Sequence, residues 1–176
     1  MLSRILAVFV IVSLGSVLNA RAGEANWPEL RNLLTDRPAI ADTVNTAIPE
    51  NGPVVVTFFA SWCPPCTDEF KHLNELVNVQ GEGVSVVAIN LFEAFGGKKN
   101  PARMVRFIER TDPQFPLIDG SEDIRSAFGN IDRIPTVVVY GKSGDEVWRF
   151  VHKRGAEKTH ATLEDLTKAL DLALTQ

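Results

Sequence analysis

Val54-Val55-Val56-Thr57-Phe58-Phe59-Ala60-Ser61-Trp62-Cys63-Pro64-Pro65-Cys66 is the stretch that decides the fold. Its first six residues are β-branched or aromatic at both alternating positions, the pattern of a strand covered on both faces. Its last four place two cysteines three positions apart, and the chain of 176 residues has no others. A strand that delivers two thiols to the start of a helix suits thiol–disulfide exchange: one thiolate attacks, and the second lies within reach to resolve the mixed disulfide. The plainer alternative is a structural staple. A bridge across a two-residue gap closes a tiny loop and removes little chain entropy, so it would stabilise poorly.

Working outward, Pro64 begins a helix to about Val79 whose apolar positions Phe70, Leu73, Leu76 and Val77 recur at helical spacing. Gly81 and Gly83 end it. Val84 to Leu91 reads as a second buried strand, parallel to the first because a helix links them. A surface loop, Gly96-Gly97-Lys98-Lys99, leads to a helix over 102–110 with Met104, Val105 and Ile108 inward. Its spacing matches no phosphate loop. Phe115 to Ile118 reads as an edge strand beside Pro113 and Pro116, and Ser121 to Phe128 as a short Ser-capped helix. Thr136–Tyr140 and Glu146–Val151 form an antiparallel hairpin about Gly141-Lys142-Ser143-Gly144. A final helix over 162–174 carries Leu163, Leu166, Leu170 and Leu174. The fold class is α/β: a three-layer sandwich on a mixed parallel and antiparallel sheet, with an inserted αβ unit.

Upstream, residues 1–22 have the form of a signal peptide: Arg4, an apolar run from Ile5 to Leu18, and the small-x-small site Ala20-Arg21-Ala22. The alternative is an uncleaved N-terminal anchor, for which the run falls short of the ~20 residues a span needs. Residues 23–52 read as a lead-in segment with a short helix over 27–34, and 53–176 as the main domain. The net charge of −4, with 45% apolar and 23% charged residues, argues for a globular protein and against nucleic acid as a partner. Without Arg4 and Arg21 the balance is 16 basic to 22 acidic residues, or −6. Export places the pair where disulfides persist.

The motif Phe58 to Cys66, Ile134-Pro135-Thr136 ahead of the hairpin, and the additional helix and strand between Leu91 and Ile118 together resemble the thioredoxin-fold TlpA/ResA-type exported thiol–disulfide oxidoreductases. The resemblance covers about Pro53 to Leu174 and departs from that family in the lead-in, which shows no strand-rich hairpin. It implies a cis Ile134–Pro135 bond, with the Ile134 backbone beside the cysteines and free to pair with an extended client. It also implies a periplasmic location and client disulfides such as those of an apocytochrome c. A membrane or periplasmic electron donor, a monomer, and no cofactor or metal complete that picture.

Within this frame Cys63 is the expected nucleophile, its sulfur open to solvent at the positive end of the helix dipole, and Cys66 the more buried, resolving thiol. Pro64 and Pro65 lack N–H groups, so two of the donors a helix start offers are missing. With no His between the cysteines, a weakly stabilised thiolate and a relatively reducing pair are expected. Glu69 shares a helical face with Cys66. It either exchanges the Cys66 proton or is a solvated first-turn acid complementing the dipole. Thr57 stands where plain thioredoxin has a buried Asp, and a threonine cannot take that proton. Trp62 is expected to cap the core and to expose one ring edge for docking. Two other readings stay open: an oxidase or isomerase of folding proteins, and a thioredoxin-fold copper chaperone using a distant His.

Overall fold

Strand β1 (Val54–Phe59) is buried along its whole length and forms the middle of a five-stranded sheet. The computed structural model describes residues 25–41 and 47–176. The signal-peptide reading of 1–22 lies outside them. In chain order the elements are α1 (Trp27–Leu34), β1, α2 (Pro64–Gln80), a 3-10 turn at Gly81–Gly83 and β2 (Ser85–Asn90). Then come α3 (Pro101–Thr111), β3 (Leu117–Asp119), α4 (Glu122–Ala127), β4 (Thr136–Tyr140), β5 (Glu146–Val151) and α5 (Leu163–Thr175).

The sheet order is β3-β2-β1-β4-β5. β1 runs parallel to β2 and antiparallel to β4, with Phe58 opposite Thr136, and β3 is the expected edge. Ile40 N–H donates to Leu117 O at 2.8 Å, so the lead-in covers the open edge of β3.

Alternation along the strands divides the core in two. Val55, Phe59, Ala88, Val137 and Val139 pack with α2, α3 and α5; Val54, Val56, Phe58, Ile89 and Tyr140 pack with α1 and α4. Two helical layers thus sandwich the sheet. The lead-in is part of this packing. Trp27, Leu30 and Leu34 are buried, and the Trp27 indole donates to Pro49 O at 3.0 Å. Its ring lies 5.7 Å from that of Tyr140. Gly144, at φ +87, turns the β4–β5 hairpin beneath α1, where a Cβ would stand 2.9 Å from Pro28 Cδ.

Three local expectations are corrected. On α3, Val105 is 53% exposed and Phe107 takes the buried position, because that ring stacks on Phe59 at 5.2 Å and meets Phe70 edge-on at 4.9 Å. On α5, Leu174 is exposed while Ala169 and Ala173 are buried with Leu166 and Leu170, small side chains that let the helix lie close on the sheet. Ser121 precedes α4 without capping it, since its hydroxyl bonds to the Asp123 carboxylate instead.

Candidate functional site

β1 ends at Phe59, and a tight turn closed by Cys63 N–H to Ala60 O (3.1 Å) sets Cys63 as the N-cap of α2. Cys63 and Cys66 are joined by a disulfide with their Cα atoms 5.3 Å apart. Since Pro64 and Pro65 have no N–H, the Cys66 N–H is the donor left at this helix start, and it lies 3.3 Å from Cys63 Sγ. Cys66 is fully buried. Cys63 is 4% exposed, less open than expected, and it borders a recess of about 340 Å³ with Trp62 and Pro64.

The Ile134–Pro135 bond is cis. Because Phe58 pairs with Thr136, this bond sits at the end of β1 from which the cysteine turn departs. Ile134 and Trp62 both pack on the core cluster that contains the two cysteines.

Glu69 is fully buried on α2, one turn beyond Cys66, which overturns the reading of it as a solvated acid. Thr57 Oγ1 donates to its Oε1 at 2.6 Å and Ala161 N–H to its Oε2 at 3.2 Å. Burial pushes its pKa up to about 7, against the opposing pull of these two hydrogen bonds. The threonine at the strand position is therefore the partner of a carboxyl supplied by the helix. Such a group, poised near neutrality behind the inner thiol, is able to accept a proton and return it.

Trp62 is half-buried. Its indole donates to Phe92 O at 2.8 Å and its ring stacks on Phe95 at 5.3 Å. Phe95 is 75% exposed, so the aromatic pair forms surface beside the cysteines. Behind it lies a network missed in the sequence. The Glu93 carboxylate, buried, receives the Ser61 N–H (2.8 Å), the Ser61 hydroxyl, the Asn90 amide (3.1 Å) and Arg103 (3.2 Å). Burial alone would raise the Glu93 pKa; these bonds outweigh it and hold the group below the usual carboxylate range. The only sequence signal is an acid just past β2, and such an acid ordinarily reads as solvated loop.

The His72 and His160 rings stack at 5.4 Å, and burial together with His72 holds the His160 pKa below its ordinary value. Among the described residues no three His, Cys, Asp or Glu side chains gather as metal ligands.

Curated relatives are similar over half to two thirds of the chain. One is the thiol-disulfide oxidoreductase ResA of Geobacillus thermodenitrificans, 33% identical across 52% of this chain and 49% of its own. Another is that of Bacillus thuringiensis subsp. konkukian, 29% identical across 66% and 62%. The chain thus spans about half to three-fifths of the length of these relatives. Among solved structures, the fold is shared with a secreted Mycobacterium tuberculosis disulfide oxidoreductase homologous to E. coli DsbE (TM-score 0.54, 18% identity, 67% of this chain and 79% of that one). It is shared also with StoA from Bacillus subtilis (0.51, 21%, 66% and 80%) and a thioredoxin-related protein from Neisseria meningitidis serogroup B (0.57, 20%, 78% and 98%). The model of the family described as Redoxin matches residues 27–170. That match runs from α1 into α5 with the cysteine turn inside it, and the chain belongs to the Redoxin family.

Proposed function

We propose that the protein is an extracytoplasmic thiol–disulfide oxidoreductase that reduces disulfides of partner proteins through Cys63 and Cys66. The observation that carries this reading is the cysteine pair at the head of α2 with a buried carboxyl one turn behind it. In the reduced protein, the Cys63 thiolate attacks a client disulfide. One client sulfur leaves as thiolate, and a mixed disulfide forms. Cys66 then gives its proton to Glu69, attacks Cys63 Sγ and releases the second client sulfur. Two electrons pass to the client, and Cys63–Cys66 becomes the disulfide seen here. A dithiol donor in the membrane or periplasm restores the reduced state.

Trp62, Ile134 and Pro135 form the proposed client-binding surface, the Ile134 backbone pairing with an extended client segment as an added strand. The ResA relatives support the activity, and the likeness to a secreted Mycobacterium tuberculosis disulfide oxidoreductase supports export. Among the described residues no helix is long and apolar enough to cross a membrane. Residues 1–22 act as signal peptide or anchor, 23–52 as a lead-in segment, and 53–176 carry the chemistry in a periplasmic monomer. An apocytochrome c cysteine pair is the proposed client.

Two measurements test this. A Cys66→Ser variant is expected to accumulate mixed disulfides through Cys63, and mass spectrometry of the trapped species identifies the clients. The reduction potential is expected on the reducing side, since the two prolines remove helix-start donors that would stabilise a thiolate. A potential near about −120 mV, that of a strong dithiol oxidant, would indicate an oxidase instead.

A further inference from the structure

Helix α3 brings a cation to the recess beside Cys63. Trp62, Cys63, Pro64, Thr67, Asp68 and Arg110 border this space of about 340 Å³, so the reactive residue and a guanidinium open onto the same volume. Arg110 is held from two sides. Its guanidinium carbon lies 5.7 Å from the centre of the Phe107 ring, within reach of cation–π attraction, and its Nη2 donates to Thr67 Oγ1 at 3.2 Å. Thr67 directly follows Cys66, and Phe107 stacks on Phe59 of β1. Both supports are therefore fixed to the frame that carries the cysteines.

The charge on Arg110 is unanswered. Arg103, two turns earlier on the same helix, pairs with Glu93, whereas Arg110 pairs with no carboxylate among the described residues. Asp68, the other charged group on the recess, is engaged by Lys71 Nζ at 2.7 Å, a bond that holds its pKa below the usual range. Among the described residues most of the five Arg110 N–H donors have no partner, in a planar fork that matches a carboxylate. A carboxylate beside a client disulfide ordinarily slows attack, because it repels both the approaching thiolate and the departing one. An arginine bordering the same recess as Cys63 offsets that repulsion.

We propose that Arg110 is a specificity-determining residue, binding a carboxylate that the client carries next to its reducible disulfide, so that acidic cysteine segments are reduced in preference to basic ones. The proposal rests on the reading of Cys63 as the attacking thiol. Arg110 exchanges no electrons; the client S–S bond breaks and the Cys63–client bond forms as set out above.

Disulfide-bonded peptides of one sequence, with Asp, Asn or Lys flanking the cysteines, test it in stopped flow with the reduced protein. Each rate is divided by that with dithiothreitol, an uncharged dithiol, to remove the peptides' own reactivity differences. In low salt the wild type is expected to favour the Asp over the Lys peptide by about three- to tenfold, the ratio shrinking as salt rises. Arg110→Ala is expected to abolish the preference, Arg110→Glu to invert it, and Arg106→Ala, on an exposed face of α3, to keep it. An unchanged preference in Arg110→Ala, or none in the wild type while the Asn peptide is reduced, overturns the proposal alone. Failure to reduce even the Asn peptide overturns the reading of the cysteines, and the proposal with it.

Discussion

Glu69 ties the chemistry of the pair to the pH behaviour of the fold. Its pKa moves from the ordinary 4.5 to about 7 on burial. Between those values the folded protein keeps a proton that the unfolded chain has lost. This contribution to stability is therefore fully present below about pH 4.5 and is lost as pH rises to about 7, on the order of 3 kcal/mol in all. Denaturant unfolding of the oxidised protein at pH 5 and pH 8 is expected to show it, and Glu69→Gln should flatten the difference. That variant is expected to start from similar stability, since its amide donates to the Thr57 hydroxyl, which rotates to accept, while its oxygen accepts from Ala161 N–H. The same substitution should remove an inflection near pH 7 from the rate at which Cys66 resolves a mixed disulfide. Equal pH slopes in both proteins, with the inflection retained, would sink the assignment. The face shared by Cys66 and Glu69 was readable from their spacing. The burial was not, because the groups that receive the carboxyl stand 12 and 92 residues away in the chain.

The turn between β1 and α2 is held less by its own residues than by α3 and the end of β2. Glu93 collects the Ser61 N–H and hydroxyl, the Asn90 amide and Arg103, and Arg103 also donates from Nε to Ser61 Oγ at 3.0 Å. Glu93→Ala would leave several of these donors without an acceptor, and a loss of about 2–4 kcal/mol is expected. The shift should appear in the denaturation midpoint with an unchanged slope. A change below about 0.5 kcal/mol, the ordinary scatter of surface substitutions, would mean that the turn stands without the network. The helix faces show where sequence patterning stops. Periodicity on α3 groups Met104, Val105 and Ile108 on one side, yet the rings of Phe59 and Phe70 draw Phe107 inward and leave Val105 in water. On α5 the leucine stripe is legible, but how closely the helix approaches the sheet is set by Ala169 and Ala173, which a hydrophobic pattern barely registers.

Across the whole molecule, the order of strands and helices and the mixed sheet were legible because each element has a strong local period. The role of the lead-in was not, since Trp27 finds its partners, Tyr140 and the Gly144 turn, far along the chain. Yet among the described helices it is α1 and α4 that cover the face of the sheet opposite the cysteines. Trp27, Leu30 and Leu34 are each fully or almost fully buried, and at ~1.5–3 kcal/mol per side chain they contribute about 5–9 kcal/mol together. A domain of this size has a total stability of about 5–15 kcal/mol, so that share decides whether it folds. A chain beginning at residue 53, though it keeps both cysteines, Glu69 and the cis-proline, is expected to lose cooperative unfolding and near-ultraviolet circular dichroism and to bind a hydrophobic dye. Trp27→Ala in the longer chain should lower stability by about 3–5 kcal/mol while the fold survives. If the shorter chain instead melts cooperatively near the temperature of the longer one, α1 is an ornament on a self-sufficient sheet. The redox site would then depend on one helical layer alone.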